Sequence, residues 1–438
     1  MSGADVGPGS RTGTMNRTGK TSRGAQVNPK PLVETETESE EPPSPSPSRP
    51  RRGRTLDTGR SSASRPPTNP IRQRTSGRRG APSSSPVLTQ TLEDVRQSPW
   101  RIPQAQDVEV VVLYSLALGL ERGRSQDRIA DQETASVARD IATALEGHVR
   151  AAHLVPVWDE LELVLRQFDP RRHVIFNLVE SLGGRPFTEP EPPRIFQAMG
   201  FIHTGADFPS LTRAANKLAA KKLLESAGLP TPRYQVFRSE ALRKVTVPLP
   251  AIVKPVAEGG SFGVTQDSLA TTHQELVERV RSCLEIYRQP ALAEEYVAGR
   301  EINVAVWGNQ QPVVLPVSEI VFQWTSDPLR QFVTFDSKWV EGSVEYSGTP
   351  GVCPAKLSAK DQASVESAAV SAYRTLGFRG FARVDMRLKD GIPYILEVNA
   401  NPDLARDAGF FRSASTAGLS YPEMVLRILQ LAIDAHYA

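Results

Sequence analysis

The chain has 438 residues and carries 52 Lys+Arg against 49 Asp+Glu, but this net charge of +3 is a sum of two unlike parts. Residues 1–100 hold 16 basic and 9 acidic residues, so the remainder, with 36 and 40, is mildly acidic, and the basic character belongs to the N-terminal stretch alone. Two cysteines, Cys283 and Cys353, supply neither a disulfide framework nor a metal spacing, and the longest apolar run, Val110 to Leu120, is too short to cross a bilayer.

Residues 1–104 are expected to form a disordered Pro/Ser/Arg-rich tail. The stretch "EEPPSPSPSRPRRGRTLDTGRSSASRPPTNPIRQRTSGRRGAPSSSP" has almost nothing apolar to bury against the entropy of ordering. Its arginines lack aromatic interleaving, so nucleic-acid contact by the tail is not expected and a solvated extension is. No apolar stretch near Met1 resembles a signal peptide, and the cysteine usage fits a reducing cytoplasm.

From about Gln106 the pattern becomes α/β. "DVEVVVLYSL" is a β-branched run suited to a buried parallel strand, and "DRIADQETASVARDIATALEGH" follows with Ile129, Val137, Ile141 and Leu145 at helical spacing. "HVIFNLVE" is a second strand, ending in glycines where open α/β sheets place ligands. "NKLAAKKLLESAGLPTPRY" predicts a helix from the cap Asn216 to Ala227, stopped by Gly228 and Pro230. Strands are then expected around "PAIVKP", "ALAEEYV", "REINVAVWG", "QPVVLPVSEI", "GFARVDMRL" and "PYILEVNA". Some 330 residues in this alternation predict two or three lobes sharing a cleft.

The stretch "IVKPVAEGGSFGVTQ" sets Lys254 on a strand end, before a glycine-rich loop. Glycines let backbone N–H groups converge on oxygen atoms and the ammonium adds a point charge, so the loop suits phosphate. It matches neither a Walker loop nor a dinucleotide fingerprint. With "VTQ" taken as the next strand, it is expected to be a flap between two strands. The bland alternative is a structural hairpin with a surface lysine.

In "FARVDMRLKDGIPYILEVNANP" the Asp390-Gly391 step predicts a hairpin. Alternation puts Glu397 with Asn399 on one face, and Arg383 with Asp385. A three-residue loop, Asp390 to Ile392, would set Asp385 opposite Glu397 and bring all four to one face; a two-residue loop without a bulge would separate them. Two carboxylates and an amide oxygen are hard ligands that suit Mg²⁺ shared with phosphates. A half-solvated hairpin with a polar outer face is the alternative.

The order of these motifs, "NKLAAKKLLESAGLPTP", "IVKPVAEGGSFGV", "LAEEYVAGREINVAVWG", "GFARVDMRL" and "ILEVNANP", resembles the ATP-grasp superfamily and, within it, the D-alanine–D-alanine ligases. The resemblance implies an α/β fold with α+β lobes: an N-terminal Rossmann-like domain at 105–206, a central ATP-grasp lobe with the phosphate flap at 207–300, and a C-terminal lobe at 301–438 with metal and catalytic residues. It also implies a ligase that forms a peptide bond through an acylphosphate with release of ADP and phosphate, using ATP and Mg²⁺ or Mn²⁺, with amino acid or peptide substrates and a homodimeric assembly. Residue by residue it implies Lys217, Lys254, Gly259, Gly260 and Ser261 for the phosphates, Glu294, Glu295 and Val297 for adenine, and Glu301 for ribose. Asp385, Glu397 and Asn399 match its metal set, and Arg383 and the mobile-loop Lys338 its catalytic cations.

The departures fall on the substrate side. Gly260 and Trp339 stand where the family has a serine and a tyrosine whose hydroxyls join the flap to the mobile loop. Glu180 stands where it has a histidine, and Asp403 where a glycine amide helps form an oxyanion hole. ATP handling is thus expected to match the family and amino-acid selection to differ, with Glu180 and Asp403 suiting an amine-bearing substrate. The alternatives are a ligase of another amino acid or peptide pathway, outside the cell wall, and an ATP-binding regulatory pseudo-enzyme with a basic partner-binding tail.

Overall fold

An apolar run long enough for a strand but covered on both sides begins the fold. In the structure, a computed structural model describing residues 108–116, 128–185, 187–240 and 244–437, with side chains described from Glu133 in the first helix, this run is β1 (Glu109–Ser115). With β2 (Ala151–Val157), β3 (His173–Leu178) and β4 (Ile202–His203) it forms a parallel sheet ordered β2-β1-β3-β4. Val110 and Val112 pack against Val137, Ile141 and Leu145 of the helix Arg128–Leu145, and against Met424 and Ile428 of the helix Tyr421–Tyr437. Val111 and Leu113 pack on the other face with Leu161, Ile195 and Phe196. Burial on both faces is why β1 lacks polar alternation. The expected tail and Ile129 lie outside the described residues and side chains.

Two antiparallel sheets follow. The first holds β5 (Tyr234–Phe237), β6 (Ala251–Pro255), β7 (Leu269–Ala270) and β8 (Ala291–Glu295), ordered β5-β8-β6-β7. Its apolar face rests on the helix His273–Tyr287, which starts in a capping box of Thr272 and Glu275 and buries Leu276 and Val280. The second holds β9 (Arg300–Trp307), β10 (Val313–Val314), β11 (Ser318–Ile320), β12 (Gly351–Val352), β13 (Phe381–Lys389) and β14 (Ile392–Asn399). Its order is β12-β11-β9-β13-β14 with β10 on β9, and it rests on the helix Ala359–Leu376.

Three local expectations are corrected. "VTQ" is not a strand: Thr265 caps a 3₁₀ turn at Gln266–Ser268, with Thr265 N–H donating to Ser268 Oγ at 2.9 Å. These short polar side chains offer the backbone a turn in place of a ladder, and the next strand along the chain, which pairs with β6, is β7. "QPVVLPVSEI" divides into β10 and β11, with Pro316, which has no N–H to give a ladder, between them. The hairpin turn between β13 and β14 is the two-residue Asp390-Gly391, with φ +52° and +75°, since Lys389 pairs with Ile392.

A bulge rescues that register. Met386 pairs with Ile395, but Asp385 pairs with Glu397, so Leu396 is the extra residue. Ile395 and Val398 stay in the core while Leu396 and Glu397 both turn away from it. Beyond the bulge, Arg383 faces Asn399 and Asp385 faces Glu397 on one side of the sheet.

Gly205 holds the end of the first sheet against the segment after β14. Its φ is +81°, and a Cβ there would lie 2.1 Å from Asn401 Oδ1, which accepts from Ala206 N–H at 3.1 Å. Gly205→Ala combines backbone strain with a clash and should destabilise the protein by about 1–3 kcal/mol, seen as a lowered midpoint in thermal or urea denaturation.

Candidate active site

Every residue singled out from the sequence lines one of two adjoining cavities between the sheets. Most line the cavity bounded by β6, β8, β9, β13 and β14, whereas Gly259 and Glu180 line the one next to the first sheet. Lys217, Gly260, Trp339, Arg383 and Asp403 border both.

The cations come from two local structures. Asn216 caps the helix Lys217–Ser226 by accepting from Ala219 N–H at 3.1 Å, which starts that helix with Lys217 buried and facing the cleft. Lys217 Nζ donates to Glu397 Oε1 and to the Glu258 carbonyl, both at 2.5 Å. One turn on, Lys221 points the same way, and its ammonium and that of Lys254, near the end of β6, take one oxygen each of Glu294. Burial opposes charge on Glu294, but the two lysines outweigh it and hold its carboxyl down at about 2. Burial lowers Lys221, whereas Lys254, which also faces Glu397 and Glu301, is raised.

Asp385 is saturated. Its Oδ1 accepts from Arg383 Nε and Asn303 Nδ2, both at 2.7 Å, and its Oδ2 from Arg383 Nη2 and Asn399 Nδ2, both at 2.8 Å. The bidentate fork fixes Arg383 over the paired carboxylates. Asp385, Glu397 and Asn399 offer hard oxygens for a divalent cation, and the charges of Arg383 and Lys217 now lie against the same carboxylates. Glu301 is buried, and burial raises its carboxyl. Arg387 Nη2 lies 3.3 Å from Glu301 Oε2 without hydrogen-bond geometry, and that oxygen has no other partner, so it suits a hydroxyl donor. Glu295 turns to the opposite side and takes a fork from Arg233 at 2.7 and 3.0 Å, and the Glu295 and Tyr296 amides are committed to Arg233 O and Pro250 O. Val297 is buried at the cleft wall.

The flap and the loop facing it are joined. Phe335 N–H donates to Val264 O at 2.8 Å, and Trp339 Nε1–H donates to the Gly260 carbonyl at 2.7 Å. The two hydroxyls expected to make this connection are absent, and an indole N–H and a backbone carbonyl make it instead. Gly260 and Ser261 both have positive φ, +57° and +64°. Lys338 Nζ sits 4.6 Å from the centre of the Trp339 ring, which holds the ammonium at the cavity wall by cation–π attraction.

The neighbouring cavity is acidic. Glu180 lies just past β3, its N–H donating to Ser115 Oγ at 3.0 Å, and Asp403 Oδ1 accepts from Ala405 N–H at 2.8 Å. Sequence reading missed Glu133 and Glu189 there. Burial, then Asp403 and Asp407, push Glu133 up to about 6, and burial pushes Glu189 up to about 7. No local signal marks either one, because packing alone turns them to the cavity. Lys221, Asn303 and Arg387 were also missed, although each repeats a named residue at the period of its element: four after Lys217, two after Glu301, two after Asp385. Arg412, from the helix Gly409–Thr416, adds a further guanidinium to the cavity wall, 3.3 Å from Ser318 Oγ.

Comparison with known proteins matches this architecture. Residues 223–430 fit the family model for the C-terminal part of D-ala D-ala ligases. A D-alanine–D-alanine ligase of Carboxydothermus hydrogenoformans is 32% identical over 253 residues, 55% of this chain and 76% of that protein. An uncharacterised protein of Sinorhizobium fredii is 32% identical over 260 residues, 59% of this chain and 74% of that one. A solved structure of the Bacillus anthracis D-alanine–D-alanine ligase with ATP shares the fold, with a TM-score of 0.57 at 19% identity over 75% of this chain and 99% of that one. The fold is thus that of ATP-grasp ligases. The chain belongs to the D-alanine–D-alanine ligase family. Among the described residues no helix is long and apolar enough to cross a membrane.

Two outcomes are expected. Trp339→Phe keeps the ring but leaves the Gly260 carbonyl unpaired, so hydrogen exchange in residues 259–264 should quicken about 2- to 10-fold, with little change in overall melting temperature. Glu133 and Glu189 both have folded pKa values above the ordinary 4.5, so each costs stability increasingly as pH rises through about 6 and about 7. Glu189→Gln should therefore leave the melting temperature unchanged near pH 4 and raise it near pH 8; a shift equal at both would refute the assignment.

Proposed function

We propose that the protein is an ATP-dependent carboxylate–amine ligase that joins two amino acids, or an amino acid and a peptide, through an acylphosphate. The observation that carries this is the pairing of Asp385 with Glu397 across the bulged hairpin, with Arg383 and Lys217 against them and the glycine flap nearby. On this reading Lys217, Lys254 and the flap from Gly259 to Ser261 receive the phosphates, Glu301 Oε2, which accepts no hydrogen bond, takes one from ribose hydroxyls, and Glu294 and Val297 border the base. Lys217 and Arg383 change partners as phosphate charge arrives, from carboxylate to phosphate oxygens.

Asp385, Glu397 and Asn399 would hold Mg²⁺ or Mn²⁺, which when bound neutralises phosphate charge. The remaining work falls to the chain's own side chains. In the first step the substrate carboxylate displaces ADP at the terminal phosphorus. In the second the amine adds to the acyl carbon and gives up a proton to water or to the departing phosphate, which leaves with the electrons of the C–O bond. Charge grows on oxygen in both, and Arg383 is positioned to stabilise it in a closed, poorly hydrated site, where such stabilisation is usually the largest catalytic contribution. Lys338, held by Trp339, supplies a second cation from the loop.

A departure from D-alanine is read from Gly260, Trp339, Glu180 and Asp403, which stand where the resemblance implies other groups. Glu133, Glu180, Glu189 and Asp403 surround the chamber beside the first sheet, and this acidity suits substrates that bring ammonium groups. The names of the relatives make the D-alanine pair the first substrate to test. The experiment is phosphate release from ATP and Mg²⁺ across a matrix of D- and L-amino acids, with product mass. A condensed product from a pair other than two D-alanines is expected. ATP turnover indifferent to every amino acid, with no condensed product, would sink the ligase reading and favour a regulatory ATP-binding role.

A further inference from the structure

A second group of metal-type ligands lies at the far end of the parallel sheet. Glu109 opens β1, His153 lies in β2 and His173 opens β3. His173 pairs with Glu109 and His153 with Val111, two residues on, so all three side chains share one face. His153 Nε2 stands 3.0 Å and His173 Nε2 3.5 Å from the same oxygen, Glu109 Oε2. One ligand atom of each residue lies within 4.8 Å of the others. Ser115, at the opposite end of β1, contacts Glu180 and Ser181 at the acidic cavity beside this sheet, so about 20 Å of strand separates this cluster from that cavity.

We propose that Glu109, His153 and His173 bind a divalent transition-metal ion of the zinc class, apart from the Mg²⁺ expected with the nucleotide. Two imidazoles and one carboxylate are the donor set such ions take, and each comes from a different strand of one sheet, so little reorganisation is needed to bring them together. The outer groups fit the same use. Arg172 Nη2 at 3.3 Å and Arg150 Nε at 3.6 Å both address Glu109 Oε1, leaving Oε2 to the two imidazoles. Asp169 orients His173, its carbonyl 2.9 Å and its N–H 3.1 Å from Nδ1. When Nδ1–H donates to that carbonyl, the Nε2 lone pair faces Glu109 Oε2, and two acceptors face to face call for a cation between them.

The two arginines also set the selectivity. Their positive charge opposes any dication, so the hard ions Mg²⁺ and Ca²⁺, which gain little from imidazole, are disfavoured more than Zn²⁺, Co²⁺ or Ni²⁺. The His153 side chain is 39% exposed, which leaves one side of the site open to water as a further ligand.

The test uses the full-length protein, stripped with chelator and titrated calorimetrically with ZnCl₂ in excess Mg²⁺. Wild type should take up one Zn²⁺ more than the His153→Gln/His173→Gln double variant, and Co²⁺-loaded wild type should show visible d–d absorption that the variant lacks. Glu109→Gln, which keeps a hydrogen-bonding amide in place, should weaken Zn²⁺ binding at least about tenfold and covers the case in which the double variant does not fold. Equal uptake by wild type and the double variant, unchanged Zn²⁺ affinity in Glu109→Gln, or no uptake by wild type overturns the site. The readout is independent of ligase activity.

Discussion

In a hairpin with a side-chain period of two, one residue decides which face every later side chain takes, and between β13 and β14 that residue is Leu396. The Asp390-Gly391 turn fixes pairing from Lys389 to Met386 in simple alternation. Without the bulge, the next pair would bring Leu396, not Glu397, opposite Asp385. The extra residue lets Ile395 and Val398 both reach the core on the helix Ala359–Leu376 while Glu397 and Asn399 turn to the cleft. The pairing of Asp385 with Glu397 and the contact of Lys217 with Glu397 both follow from that single irregularity, whereas the fork of Arg383 on Asp385, two residues on in the same strand, needs only the alternation of β13.

Around this hairpin the buried charges are arranged in pairs that bridge elements. Lys217 joins a helix start to β14 and to the backbone before the flap, and Lys221 and Lys254 meet on Glu294 of β8. Leaving any one of these charges buried without its partner would be costly, since desolvation is compensated only while the pair holds. A ligand that brings its own negative charge can replace one partner with another, so such a network keeps its charges paired in either case. The flap is tied to the opposite loop through Trp339 by an indole donor and a main-chain acceptor. The two segments are thus joined without either hydroxyl that the resemblance implies.

The acidic chamber shows a different principle. Glu133 and Glu189 are carboxyls whose ionisation is disfavoured where they stand, and their neighbours Asp403 and Glu397 add to the cost. Such groups are poor at stabilising a fold and well suited to meeting a cation.

Much of this was legible in the sequence because it is local. The glycine loop after Lys254, the Asn216 cap and the existence of a turn at Asp-Gly each depend on a few consecutive residues, and alternation pairs Arg383 with Asp385 and Glu397 with Asn399. The sequence by itself thus determined most of the elements, the order of the motifs and the residues that line the cleft between the antiparallel sheets. Only the tertiary structure decided the bulge at Leu396, the indole link of Trp339 to Gly260, and the turning of Glu133 and Glu189 into the chamber. The same holds for the meeting of Glu109, His153 and His173 across three strands. Each of these depends on which distant surface an element packs against, and that is set by burying apolar faces far apart in the chain.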